Sequence, residues 1–159
     1  MSNVSKKALI ITGVTTEIYP LFPVITKKKQ EDLFILNSFG AVISQPYGCL
    51  IRSIILAIYN EQIEEIYIIR EKESIECKFN DEEFLGKIKE AGVSERVINT
   101  INYIDVVNHD VIKWLEGPKE VMDVMKKNID FIKGHPLIPS TLPVHAYIAD
   151  PETGAYHSV

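Results

Sequence analysis

The stretch "LIRSIILAIYNEQIEEIYIIR", residues 50–70, changes its hydrophobic period midway, and that change decides the fold. Leu50, Ile51, Ile54, Ile55 and Ile58 recur at helical spacing and give one wide apolar face. From Glu65 to Arg70 the apolar residues run almost without a break, as they do in a strand buried on both faces. The helix is expected to start near Ser44, a good N-cap, with Pro46 tolerated in its first turn, and to end near Asn60.

Upstream, residues 8–12 (ALIIT) and 33–37 (LFILN) are two more short apolar runs of the same kind. Pro20 and Pro23 between them permit at most a short helix or turns. Strand, helix and strand in this order imply a right-handed parallel crossover, and so an α/β protein. Downstream, "NDEEFLGKIKEAG" from Asn80 has acidic residues in its first turn and Gly92 as its stop. Residues 94–117 read either as one or two short helices or as a helix with a strand near Tyr103–Val107. A helix of about 15 residues follows Pro118 and ends before Gly134. Val144–Ala149 reads as a strand, and "DPETG" turns the chain into a last short strand, "AYHSV".

The 159 residues suffice for one domain, 1–159, with a real core and little left for a second. A net charge of −5 has the wrong sign for nucleic acid or an anionic membrane as main partner. No apolar stretch approaches the roughly 20 residues that span a bilayer. The opening "MSNVSKKALIITG" has too short an apolar run for a signal peptide, and the expected location is the cytoplasm. Cys49 and Cys77 form no CxxC, so free thiols in a reducing compartment are expected, with Cys49 as a small core residue of its apolar helix. Lys27-Lys28-Lys29, followed by Glu31 and Asp32, reads as a solvated loop. Arg70, Glu71, Lys72 and Glu73 alternate in sign, as a solvated strand end does.

Four segments together resemble the β-class carbonic anhydrases. "FILNSFGAVIS" is similar to the family's strand ending in Arg-Asn-Ala-Gly-Gly, with Asn37 and Gly40 kept. "LIRSIILAIYNEQIEEIYII" matches the following helix and strand, including the pair Arg52 and Ser53. "WLEGPKEVMDVMKKNIDFIKGHPLIP" resembles the late helix with its His-Pro-Leu-Ile-Pro ending, here His135 to Pro139. "VHAYIADPETGAYHSV" resembles the closing hairpin. The resemblance implies a central parallel sheet flanked by helices, with an antiparallel C-terminal strand. It also implies a homodimer, here without the N-terminal helical extension of many members, so with smaller contacts expected.

The family holds zinc with Cys-x-Asp-x-Arg after the first strand and His-x-x-Cys after the third. Two thiolates and an imidazole leave an open fourth position, where zinc lowers the pKa of a water. The resemblance lays these motifs on Gly13, Thr15 and Glu17, and on Glu71 and Ser74, so that every functional position differs. Shifting either window restores no ligand set. The expectation is therefore a protein with no zinc cofactor and no carbon dioxide hydration, to which a carbonate dehydratase label would attach by similarity only. Its pocket, lined by Gly13, Thr15, Glu17, Glu71 and Ser74, would take a small polar ligand. The alternatives are an interaction subunit that pairs with another protein through the family's dimer surface, and an enzyme with new chemistry in the old pocket. His135 and His145 are expected to serve packing or hydrogen bonding, as is Trp114 by its helical spacing from Val111.

Overall fold

Central position in the sheet falls to residues 63–71, which contain the strand expected at 65–70 and its apolar run 66–69. The computed structural model describes residues 5–72 and 80–159. Five strands, β1 (Lys7–Thr12), β2 (Leu33–Asn37), β3 (Ile63–Glu71), β4 (Val144–Ala149) and β5 (Tyr156–Ser158), form one sheet in the order β2-β1-β3-β4-β5. All neighbours are parallel except β4 and β5. Ile10 of β1 lies beside Ile35 on one side and Tyr67 on the other, and Tyr67 lies beside His145 of β4.

Side chains of β1 and β3 alternate between two cores. Leu9, Ile11, Ile66 and Ile68 face α2 (Cys49–Asn60) and α6 (Val121–Gly134). Ala8, Ile10, Tyr67 and Ile69 face Phe22 and Ile25 of the short α1 (Phe22–Thr26). Between β3 and β4 the helices α3 (Asp81–Glu90), α4 (Glu95–Ile101) and α5 (Val111–Glu116) bury a satellite cluster around Ile98, Val107 and Val111, against which Trp114 packs. Asn80 caps α3 by accepting from the Glu83 N–H at 2.9 Å. Of the two readings of 94–117, the helical one is observed, with Asp105–Val107 a 3-10 turn rather than a strand.

Helix α2 begins at Cys49, with Gly48 as N-cap, and not near Ser44. Gln45 precedes Pro46, whose ring pushes its predecessor out of the helical region. The upstream backbone also has other partners. The Ile43 N–H donates to Oδ1 of Asn128 at 3.1 Å, and Nδ2 of Asn128 donates to the Ala41 carbonyl. His135 accepts the Leu137 N–H at Nδ1, so its Nε2 carries the proton and donates to the Pro46 carbonyl at 2.9 Å. The later start turns Cys49 outward. It is exposed, about 200° around the helix from the buried Ile51, and so is not a core residue.

Two charged runs also differ from expectation. Lys28 is only partly solvated: its Nζ donates to the Lys6 carbonyl at 3.2 Å and pairs with Glu64, whose carboxyl this contact holds below the usual carboxylate range. Arg70 is 4% exposed, in the stretch of β3 that pairs with β4 through Arg70 and Glu71.

Asn128, at 1% exposure, bridges two backbone groups, the Ile43 N–H and the Ala41 carbonyl. Asn128→Ala is expected to cost about 1–3 kcal/mol in urea unfolding, the cost of leaving buried backbone groups unmet. Burial, and then the neighbouring Glu65 carboxylate, push the Tyr67 phenol up to about 12 from its ordinary 10.0. Tyr67 thus stays protonated in the folded chain while it ionises in the unfolded one, and the stability it lends below pH 10 drains away as pH rises towards 12. Tyr67→Phe should remove that loss, flattening the stability curve in this window as followed by circular dichroism.

Candidate functional site

The loop after β1 and the end of β3 meet at the C-terminal edge of the sheet, where open α/β sheets place their sites. The β1–β2 ladder carries on beyond the strands through the Ser38 N–H, which donates to the Thr12 carbonyl at 2.9 Å. Gly13 is buried, and its carbonyl accepts from Nδ2 of Asn37 at 2.7 Å. The same Nδ2 donates to the Tyr19 hydroxyl at 2.8 Å. The loop between β1 and α1 is therefore stitched to the end of β2 by one amide, which sequence reading had matched to the family without assigning it a role.

Thr15 Oγ1 donates to Oε1 of Glu71 at 2.6 Å, across the gap between the two loops. Both side chains are half-buried. Of the five residues expected to line a pocket, the structure thus joins Thr15 and Glu71 directly, and ties buried Gly13 to Asn37 through its carbonyl. Glu17 is exposed and points its charge to solvent at the turn before Tyr19. Ser74 lies outside the described residues. Buried Arg70 precedes Glu71 and, by strand alternation, faces the opposite side of the sheet. The sequence signal that could have found it was the central position of its strand.

This donor set is a hydroxyl and a carboxylate, hard oxygen groups without thiolate or imidazole, and it does not fit a tetrahedral zinc cage. The histidines lie in other surroundings. His135 has both ring nitrogens on backbone groups, His145 has its Nε2 3.5 Å from Glu65, and His109 has its Nε2 3.0 Å from Asp105. Among the described residues, no three His, Cys, Asp or Glu side chains gather as metal ligands would. No helix among them is long and apolar enough to cross a membrane. A cleft of about 710 Å³ opens between α5, α6 and the 42–44 turn, and none of Gly13, Thr15, Glu17 or Glu71 lines it.

No family model matches the chain. Individual proteins do. The chain is 35% identical over 150 residues to YvdA of Bacillus subtilis strain 168, a carbonic anhydrase candidate, covering 94% of this chain and 75% of that one. It is 34% identical over 149 residues to YtiB, a second such candidate from the same strain, covering 94% and 78%. The carbonic anhydrase-like protein YbcF of that strain is 30% identical over 158 residues, covering 96% and 86%. Among solved structures, β-carbonic anhydrase isoform I of Trichomonas vaginalis superposes with a TM-score of 0.77 at 18% identity, over 99% of this chain and 86% of that one. The apo form of a carbon disulfide hydrolase does so with 0.74 at 18% identity, over 96% and 77%. Sequence kinship along most of the chain and the shared fold agree: this protein belongs to the β-carbonic anhydrase family.

Proposed function

We propose that this chain is a carbonic anhydrase-like protein whose active site has lost zinc and, with it, carbon dioxide hydration, and that it keeps the fold as a homodimer able to bind a small polar ligand. The observation that carries this reading is the Thr15–Glu71 hydrogen bond of 2.6 Å. It joins the position that the resemblance gives to the family's aspartate with the position it gives to the histidine ligand. Hydroxyl and carboxylate there satisfy each other, so the two loops are tied without a metal between them. Carbon dioxide hydration by the family's route needs a hydroxide formed on zinc, and neither group can generate one at neutral pH.

Charge at the site supports the same reading. Where the resemblance expects an arginine the chain has Glu17, and where it expects an imidazole it has Glu71. Two carboxylates repel bicarbonate and favour a ligand that donates hydrogen bonds or carries positive charge.

Metal content by plasma mass spectrometry, on untagged protein offered zinc and then dialysed, tests the proposal. Less than about a tenth of an equivalent per chain is expected, since without thiolates the binding free energy of a structural or catalytic site is missing. Close to one retained equivalent, or proton release on mixing with carbon dioxide above the uncatalysed rate, would refute it. Thr15→Val is expected to lower stability by about 1–2 kcal/mol, as loss of a half-buried hydrogen bond to a carboxylate should, with zinc content unchanged.

A further inference from the structure

The cleft between α5, α6 and the 42–44 turn lies apart from Thr15 and Glu71 and has an apolar base of its own. Its volume of about 710 Å³ falls among those of clefts that hold small organic ligands. Val107 and Val124 are buried in the base, and Phe131 and Trp114 lie half-buried beside them. The Nε1 of Trp114 is wholly buried and meets no hydrogen-bond partner among the described residues. What its side chain shows to solvent is therefore ring carbon. A buried N–H without an acceptor is costly to carry, and the rim of the cleft carries a second cost. Asn108 on the rim and His109 after it hold φ at 53° and 60°, in the left-handed region that side chains disfavour. Asn102 secures them: its Oδ1 accepts the Val111 N–H at 2.8 Å, and its carbonyl accepts the Nδ1–H of His109 at 3.2 Å. Strain of this kind gathers where a ligand is clamped, and a rim already fixed loses little freedom on binding.

Around the base, the described lining carries four lysines and five carboxylates. Glu116 is the most enclosed of them, with its side chain 8% exposed and the Lys119 Nζ 3.5 Å away. Asp123, Lys126, Lys127 and Asp130 stand three and four positions apart on α6, the spacing at which opposite charges join along a helix. Among the described residues no ion pair joins them, to one another or to any other group. Their ammonium and carboxylate groups are left for whatever enters the cleft.

We propose that this cleft binds a short uncharged saccharide. Interleaved charges of both signs leave the lining close to neutral, so it draws in neither an anion nor a cation strongly. A lysine ammonium can only donate hydrogen bonds, and an ionised carboxylate can only accept them. The group that answers both is a hydroxyl, which donates and accepts at once. A ligand with many hydroxyls and no net charge therefore meets this lining best. A sugar ring adds a face of C–H groups that can rest on the ring carbon of Trp114, while its hydroxyls reach Asp123, Lys127 and Asp130 on α6. Room beyond what one ring needs favours two or three linked rings over a single one.

Trp114 is the only tryptophan of the chain, so its fluorescence reports on the cleft directly. The full-length protein is titrated with maltotriose, cellotriose and raffinose, and in parallel with inorganic phosphate and spermidine. At least one saccharide should shift the emission and saturate with a Kd of about 1 mM, confirmed by calorimetry. Phosphate and spermidine should give no saturable change. Because no net charge is drawn in, raising sodium chloride to about 0.5 M should leave the saccharide Kd within about twofold. Asp123→Ala and Asp130→Ala, both at exposed positions, should each weaken binding about tenfold while circular dichroism stays unchanged, the loss of a hydrogen bond to a charged group. Saturation by phosphate or spermidine, failure of all three saccharides to saturate, or undiminished saccharide binding in both variants overturns the proposal. The cleft shares no residue with the Thr15–Glu71 pair, so each of these outcomes leaves the zinc reading where it stands.

Discussion

Ala8, Leu9, Ile10 and Ile11 of β1 have no solvent contact, and their backbone lies between β2 and β3, so every polar group there must be met by a neighbouring strand. That requirement organises the rest. A strand buried on both faces needs a layer on each side, which α2 with α6 and α1 supply. It also leaves no room for chemistry along its length. Polar side chains can gather only where the strands end, which is why Thr15, Asn37 and Glu71 come together at one edge of the sheet.

How much of this the sequence disclosed follows the same line. Strands β1, β2 and β4 stand where their apolar runs put them, because burial on two faces writes itself into composition. Helix ends were harder to read. The start of α2 depends on Asn128 and His135, more than 80 positions away, which hold the backbone that local rules would have given to the helix. Cys49 followed that error outward, since a shift of a helix start moves every residue that was judged only by being on an apolar helix. Arg70 looked solvated by its charged neighbours, and only the structure, which pairs it with Ile148 of β4, revealed its burial. The address of the site was legible from resemblance. The bond that now occupies it was not, since no local pattern brings Thr15 to Glu71 across 56 residues.

The two loops of the site are tied to each other and to the sheet by hydrogen bonds. A metal centre ties two loops by bonds to a shared ion, and removing it would ordinarily leave their ends loose. Here Thr15 and Glu71 make a direct tie, Asn37 anchors the first loop to Gly13 and Tyr19, and the Lys72 N–H continues the sheet to Ala149 at 2.9 Å. Among the described residues these ties are ordinary hydrogen bonds, which are directional.

Asn128 has one more consequence, in the order in which the chain can become itself during synthesis. Strands β1, β2 and β3 have all been synthesised by residue 71, and Thr15, Asn37 and Glu71 of the site with them. The turn at 41–43 lacks its Asn128 bridge until residue 128 follows, and β3 lacks its second neighbour until residues 144–149 arrive. A growing chain therefore carries its candidate site without the 41–43 bridge and the β4 neighbour over a stretch of more than 50 residues of synthesis. Its last quarter closes the turn and the sheet together.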